Sequence, residues 1–521
     1  MTTIELAAPL PAVPDAADGV RKKDRKPKAD LVIALGLTAV IVALLAWNIT
    51  GFPTASDDEG TYLAQAWAVQ HGRGLAHYTY WYDHPPLAWI QLAGLAWIPA
   101  WLAPGLTAVA AGRIAMLPVQ AAGLLLVYLV SRRIGLPRWA ASLALITYGL
   151  SPLYLTMGRQ IYLDSFAVVW MLGAFALALS PRKHLWHFAA AGAAAAIAVL
   201  SKETILVILP AVILALWQNA ARSSTRPWAI GAFASGLVLV GCFYPLYAVL
   251  RGELFPGPGH VSLIGAWQFQ LGSRSGSGSV FTAGSGASSL LHSWLYYDAV
   301  ILIAGAVASF AGLALRQVRP IALAGAVLVV VALRPGGYLP AMYVVQVLPF
   351  FAIAIAGVIG SVVAALPPVQ VWWRWAVLGA AISLSVAVVA PRWYVGDQRA
   401  LTTNDNAPYA QAADYIRDRL PGREGATVVV DDVLWLDCVD AGYPPDRVIW
   451  FYKIDLDSAV AERLPGGWRD VDYVVSTPAM RQDPNSLPTV RTLLTNSTVI
   501  ASFGPQDGQI EIRRVDKGAT A

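Results

Sequence analysis

The sequence predicts a polytopic α-helical membrane protein with a soluble α/β domain at its C-terminal end. Three observations predict it. Of 521 residues, 57% are hydrophobic and only 13% charged, against about 25% charged in soluble domains. The apolar residues form long runs that recur from residue 31 to residue 391, and each helical crossing needs about 20 of them. Beyond residue 400 the composition turns mixed, with short β-branched runs between helical patterns. The apolar runs lack the alternating polarity of barrel strands, so the backbone must satisfy itself within helices.

The chain opens on a Pro/Ala-rich stretch followed by RKKDRKPK at 21–28. Residues 1–30 therefore read as a disordered cytoplasmic N-terminus. The run from Leu31 to Thr50 exceeds the roughly 7–15 residues of a signal-peptide core and reads as an uncleaved first helix. Ten more runs follow, at 113–131, 139–156, 165–180, 186–201, 203–218, 228–250, 294–315, 320–333, 340–364 and 373–391, giving about 11 transmembrane helices. The basic loops SRRIGLPR (131–138), PRKH (181–184), ARSSTR (221–226) and RQVR (316–319) belong in the cytoplasm by the positive-inside rule.

The run 86–103, PPLAWIQLAGLAWIPAWL, would reverse every later segment if it crossed. It is read as an outer-surface juxtamembrane helix, with Trp89, Trp97 and Trp101 at headgroup depth. Outside then lie the first loop (51–112), a turn with Arg159 and Asp164, the end of the fifth helix with Lys202, and a loop over 251–293. The Gly/Ser-rich tract 272–289 in that last loop reads as flexible. An odd number of crossings also places the 400–521 domain outside. Its helix is expected at 407–420, and strands at 426–432, 447–452, 472–477, 498–503 and 509–514. The protein is thus expected in the plasma membrane, multi-pass, with membrane lipid as its surroundings. The net charge of +5 comes without a basic-aromatic patch, so no nucleic-acid partner is expected. Cys242 and Cys438 are too far apart in character to imply a disulfide framework.

Candidate chemistry sits in the outer segments. Asp57, Asp58 and Glu59 follow the first helix directly. Carboxylates there can serve as general bases or bind a cation, and equally can cap a helix. Tyr62 and His84 belong to the same loop, whose aromatic cluster fits a sugar site or an interfacial belt. His77 and His84 come without a metal-ligand set. Arg159 and Asp164 can pair with each other or face substrate. Lys202 sits between two apolar runs with almost no loop. It can snorkel outward or bind phosphate as a point charge. Asp298 is an ionisable group in an apolar run. Arg334, Tyr338 and Tyr343 occupy another outer junction, as anchors or phosphate and substrate contacts.

The ordered set DDEGTYLAQAW, DHPPL, GRQIYLD and LSKET resembles the lipid-linked-sugar glycosyltransferases of the C-type fold. The group it is most similar to is that of the protein mannosyltransferases and bacterial aminoarabinose transferases. The resemblance covers residues 31–390. It implies a polyprenyl-phosphate sugar donor and a glycan, lipid or protein acceptor. It places the family's acidic pair on Asp58 and Glu59, with Asp58 as base, and its second acid on Asp164. Lys202 and Arg159 take the donor phosphate, with Arg334 a further candidate. It leaves open a divalent cation, Mg or Mn, between Asp58 and Asp164. Glu203 stands where a glycine is common in relatives. The competing reading is a transporter or flippase for a lipid-linked glycan, whose charges would line a midplane path.

Overall fold

The computed structural model describes residues 27–73, 82, 84–98, 103, 105–220, 223–257, 260–365, 371–482 and 486–518. The tail expected to be disordered lies outside these residues up to residue 26, as do His77 and Trp101. The membrane part begins with α1 (Pro27–Ala46), α2 (Asp57–Gln70) and α3 (Leu87–Leu95). There follow α4 (Ala108–Ala115), α5 (Leu117–Arg133), α6 (Arg138–Gly149), α7 (Pro152–Met157), α8 (Leu163–Ala178) and α9 (Leu185–Ser201). Next come α10 (Leu209–Asn219), α11 (Arg226–Gly241), α12 (Phe243–Leu250), α13 (Gly286–Gly312), α14 (Arg319–Ala332), α15 (Tyr343–Ala365) and α16 (Val371–Thr402).

Among the described residues five helical stretches are long and apolar enough to span a bilayer: Lys28–Ala46, Ala108–Arg133, Arg226–Leu250, Gly286–Gly312 and Tyr343–Ala365. Four shorter apolar helices accompany them. The protein is a multi-pass membrane protein. Two expected crossings have a different form. The run 139–156 is split into α6 and α7 where Pro152 opens a new helix, since proline cannot donate to the preceding turn. The last run does not stop at Pro391; α16 carries that proline inside it and continues to Thr402. Among the described residues of the 86–103 run, α3 accounts for nine, ~14 Å of helix.

Small residues let membrane helices touch. A Cβ on Gly192 of α9 would lie 1.9 Å from the carbonyl oxygen of Phe233 in α11, and one on Gly236 of α11 would lie 2.0 Å from that of Ala189. The two backbones are therefore in mutual van der Waals contact, the packing mode that bilayers favour where apolar area alone gives no drive. The Gly/Ser-rich tract 272–289 is tied down by hydrogen bonds. Ser277 N–H donates to Gly337 O (3.0 Å), Ala287 N–H to Ser277 O (2.8 Å) and Leu339 N–H to Ser277 Oγ (3.0 Å). Its glycines admit this approach: a Cβ on Gly276 would meet Gly336 O at 2.4 Å.

The C-terminal domain starts with α17 (Ala407–Asp418) and holds a five-stranded sheet: β1 (Val428–Val430), β2 (Val448–Trp450), β3 (Tyr473–Ser476), β4 (Ser497–Phe503) and β5 (Ile510–Val515). The order is β2-β1-β3-β5-β4. β1 runs parallel to β2 and β3, while β5 is antiparallel to β3 and β4. The helix α18 (Asp432–Asp440) follows β1. It packs Leu434, Trp435 and Cys438 into the domain core. The helix α2 lies between the two parts. Tyr62, Leu63 and Ala66 pack in the membrane core, whereas Ala64 is buried in the core of the C-terminal domain.

Candidate active site

The segment that leads into α2 presents three carboxylates in its first turn, Asp57, Asp58 and Glu59, where they complement the helix dipole. Their fates differ. Asp57 and Asp58 are exposed, whereas Glu59 is fully buried. Both Glu59 oxygens are taken. Arg113 Nε donates to Oε1 (2.8 Å) and Nη2 to Oε2 (2.7 Å). Ser56 N–H donates to Oε2 (3.1 Å) and Ile161 N–H to Oε1 (3.1 Å). Arg113 spends a further nitrogen on the carbonyls of Ile49 (3.2 Å) and Pro53 (2.8 Å). This bidentate, buried pair welds α2 to α4 and to the turn before Tyr162, and leaves Glu59 no lone pair aimed at a substrate.

Arg159 is fully buried as well. Its guanidinium donates to four carbonyls: Leu45 (3.2 Å), Ala400 (2.6 Å), Leu44 (2.9 Å) and Trp47 (2.9 Å). Leu44 and Leu45 stand in the last turn of α1, where carbonyls lack helical partners. Arg159 therefore closes the C-terminal end of α1 and ties it to α16.

Asp164 sits in the first turn of α8 and is fully buried. Gln346 Nε2 of α15 donates to its Oδ1 (2.6 Å) and to Thr204 Oγ1 (2.6 Å). The other Asp164 oxygen and Gln346 Oε1 have no partner among the described residues. Next to them is a helix break. α9 ends at Ser201, Lys202 takes an extended conformation (φ −154°, ψ 117°), and a 3₁₀ turn over Glu203–Ile208 resumes the path. The break turns the Lys202 side chain inward, where the residue is only 3% exposed. Its Nζ lies 3.0 Å from Nε2 of His84, and the same ring's Nδ1 lies 3.1 Å from Glu203 Oε1. Lys202, Glu203 and His84 are all within electrostatic reach of Asp164. Tyr162, just before α8, in turn senses Asp58, Glu59 and Asp164 together. His84, the α8 junction and the α9 break thus converge on one cluster.

The remaining expected residues are placed as follows. Arg334 and Asp164 both act electrostatically on Tyr343, whose hydroxyl donates to Leu328 O (3.0 Å). Tyr338 is exposed and lies under the Arg274 guanidinium, 3.5 Å from ring centroid to Cζ. Tyr62 is in the membrane core. Asp298 is not brought to the cluster. It lies at a kink inside α13, accepts from Val300 and Ile301 N–H (both 3.0 Å), and takes the Ser151 hydroxyl at 2.7 Å. It caps the second half of a broken helix. Three site residues escaped the sequence reading: Arg113, Thr204 and Gln346. The available signal was polarity, since an arginine at the start of one apolar run and an amide within another must find partners in lipid.

Residues 113–243, less than half of the chain, match the family of dolichyl-phosphate-mannose-protein mannosyltransferases. That segment carries Arg113, Arg159, Asp164, Lys202 and Glu203. The fold is similar to that of ArnT from Cupriavidus metallidurans in the apo state, at 18% identity and a TM-score of 0.57, over 95% of this chain and 99% of that one. The same bacterial protein bound to undecaprenyl phosphate matches at 17% identity and a TM-score of 0.57, over 94% and 99% of the two chains. An Archaeoglobus fulgidus oligosaccharyltransferase in the apo form matches at 13% identity and 0.52, over 95% of this chain and 75% of that one. Identities this low show a common fold. No curated protein sequence matches.

Proposed function

We infer that this chain, a lipid-linked-sugar glycosyltransferase of the protein-mannosyltransferase family, moves one sugar from a polyprenyl-phosphate donor to an acceptor hydroxyl outside the membrane, inverting the anomeric centre. The acceptor is a glycan, lipid or protein. The N-terminus lies in the cytoplasm and the C-terminal domain outside, in line with the basic loops. The observation that carries the reading is Lys202. It is a buried ammonium, placed by a helix break, that makes no ion pair within 4 Å among the described residues and rests against a histidine ring. Asp164 and Glu203 act on it from beyond contact distance, and a buried charge is best held by a paired partner, which a phosphate supplies. The ArnT relative bound to undecaprenyl phosphate supports a lipid phosphate in that role.

In the mechanism, Asp58 accepts the proton of the acceptor hydroxyl as its oxygen bonds to the anomeric carbon. The bond from that carbon to the phosphate oxygen breaks, and its electron pair leaves with the polyprenyl phosphate. Lys202 offsets the charge that builds on the leaving oxygen. His84, held by Glu203, fixes the ammonium. Arg334 is the second cation for the phosphate. Arg159, whose donors are spent on carbonyls, shapes the site from behind, as does Glu59. Gln346 orients Asp164.

A divalent cation between Asp58 and Asp164 fits this donor set poorly. One Asp164 oxygen is bonded to an amide, Lys202 repels a metal from the same carboxylate, and no third ligand gathers there among the described residues. No step is routed through a metal, and a chelator is expected to leave turnover intact. The test pairs two variants. Asp58→Asn is expected to lower kcat by roughly 10²–10⁴-fold with donor affinity kept. Lys202→Met is expected to weaken donor binding as well as turnover. Full activity of Asp58→Asn would remove Asp58 as base and point to Asp57 or Asp164. Loss of activity with chelator, restored by Mg or Mn, would overturn the metal-free reading.

A further inference from the structure

The C-terminal domain has no part in the mechanism above, yet it grips the helix that carries the proposed base. A Cβ on Gly60 would lie 2.0 Å from the carbonyl oxygen of Asp432, so α2 and α18 meet backbone to backbone. One residue on, Thr61 Oγ1 donates to Asp432 Oδ2 at 2.6 Å, and Tyr452 supplies that oxygen with a second hydroxyl at 3.0 Å. Further along the same face, Ala64 is buried in the core of the C-terminal domain and Trp67 stands edge-on to Trp435, centroids 5.5 Å apart. The spacing 60, 61, 64, 67 is one helical face. The opposite face is pinned to the membrane part by the Glu59–Arg113 pair.

The approach to α2 is held from the same side. Asn406 Oδ1 accepts from Ala55 N–H (2.9 Å), while its Nδ2 donates to the Thr50 and Pro53 carbonyls (2.9 Å each). Asp405 N–H donates to Gly51 O (2.9 Å). At the N-terminal end of α4, Ala108 N–H donates to Asp437 Oδ1 of α18 (3.0 Å). A domain added only as cargo needs none of these contacts to α2, its approach and the start of α4.

We propose that the C-terminal domain is a positioning element for the transfer reaction, and that Asp432, seated on Gly60 and Thr61, fixes the height and rotation of α2 and so the place of the Asp58 carboxylate. The proposal rests on the reading of Asp58 as the base. Asp432 touches no substrate and acts through α2. A shift on the ångström scale in a reacting group can cost about 10²-fold in rate, so the contact controls turnover without contacting the donor.

The test uses the full-length protein in detergent or proteoliposomes. Thr61→Val removes the hydroxyl and keeps the shape; Thr61→Ser keeps the hydroxyl. Gly60→Ala drives a methyl into the Asp432 carbonyl. Thr61→Val and Gly60→Ala are expected to lower kcat by roughly 10–100-fold, with donor affinity within about twofold of the parent, and Thr61→Ser to retain most of the rate. In the Asp58→Asn background Thr61→Val is expected to cost nothing further, because the group it positions is gone. Unchanged kcat in both Thr61→Val and Gly60→Ala overturns the proposal. So does a rate loss that Thr61→Ser shares, or that multiplies with that of Asp58→Asn. Where Asp58→Asn alone stays fully active and Thr61→Val does not, the base assignment fails and the clamp acts on another group of α2.

Discussion

Glu59→Gln separates structure from chemistry in the acidic stretch that opens α2. The two Glu59 oxygens accept four N–H groups, two from Arg113 and one each from Ser56 and Ile161, and both partners of the pair are fully shielded from solvent. Glutamine offers a single oxygen, and its amide nitrogen faces a guanidinium that can only donate. Two donors are orphaned and one buried charge loses its counter-charge. Breaking a buried pair from one side costs about 3–5 kcal/mol, a large part of the ~5–15 kcal/mol that holds a typical domain together. Arg113→Met should cost as much from the other side. The double variant Glu59→Gln with Arg113→Met removes both charges, so its loss should fall well short of the sum of the singles. Thermal unfolding in detergent, followed with the transfer rate per folded molecule, reads both effects. The reasoning predicts a much lower midpoint for each single variant, partial recovery in the double variant, and, in whatever remains folded at low temperature, a turnover reduced by no more than the roughly 10–100-fold that a displaced α2 costs. An unchanged midpoint with abolished turnover in Glu59→Gln would refute it and return Glu59 to the chemistry.

Arg159→Met should likewise lower the unfolding midpoint, because four carbonyls lose their donor; weaker donor binding with an unchanged midpoint would make Arg159 a phosphate ligand instead. The docked C-terminal domain should lose stability as pH rises. Burial, with the charge of Asp57 adding to it, pushes the Asp431 carboxyl up to about 7, and burial holds Asp432 well above the usual carboxylate range. A folded-state pKa above the unfolded value of about 3.9 gives stability that is full below that value and lost as pH climbs through about 7. The midpoint should therefore fall between pH 5 and pH 8, and Asp431→Asn should flatten that slope; a midpoint that rises over the range would contradict the assignment. For sidedness, Lys183→Cys should label only from the cytoplasm and Asp446→Cys only from outside, and labelling of both from one side would break the orientation.

Much of the fold was legible because its signals are local. Apolar runs mark helices, and β-branched runs put the five strands within about two residues of where they are found. Helix ends were less legible: nothing near Pro391 announces that α16 continues to Thr402. The chemistry-bearing residue types were readable too, but their partners were not, because the decisive contacts join distant parts of the chain. Glu59 meets Arg113 across 54 residues and Asp164 meets Gln346 across 182. Arginine is the clearest case. Its fork fits a phosphate or a row of carbonyls equally well, and only the fold reveals that Arg159 closes the end of α1. Lys202 was conspicuous for lying between two apolar runs, yet whether it turned outward or inward depended on the backbone break at that residue.

The most direct measurement of the central claim follows the fate of the sugar–phosphate bond. Proteoliposomes holding the full-length protein are given a polyprenyl-phosphate sugar labelled in the sugar, with outer-face acceptors, and the lipid and acceptor fractions are separated over time. The account predicts that label leaves the lipid for acceptor, with free polyprenyl phosphate formed in equal amount, and that Asp58→Asn and Lys202→Met each suppress this release. Label that stays on its lipid while moving from one leaflet to the other would contradict the account and identify a transporter.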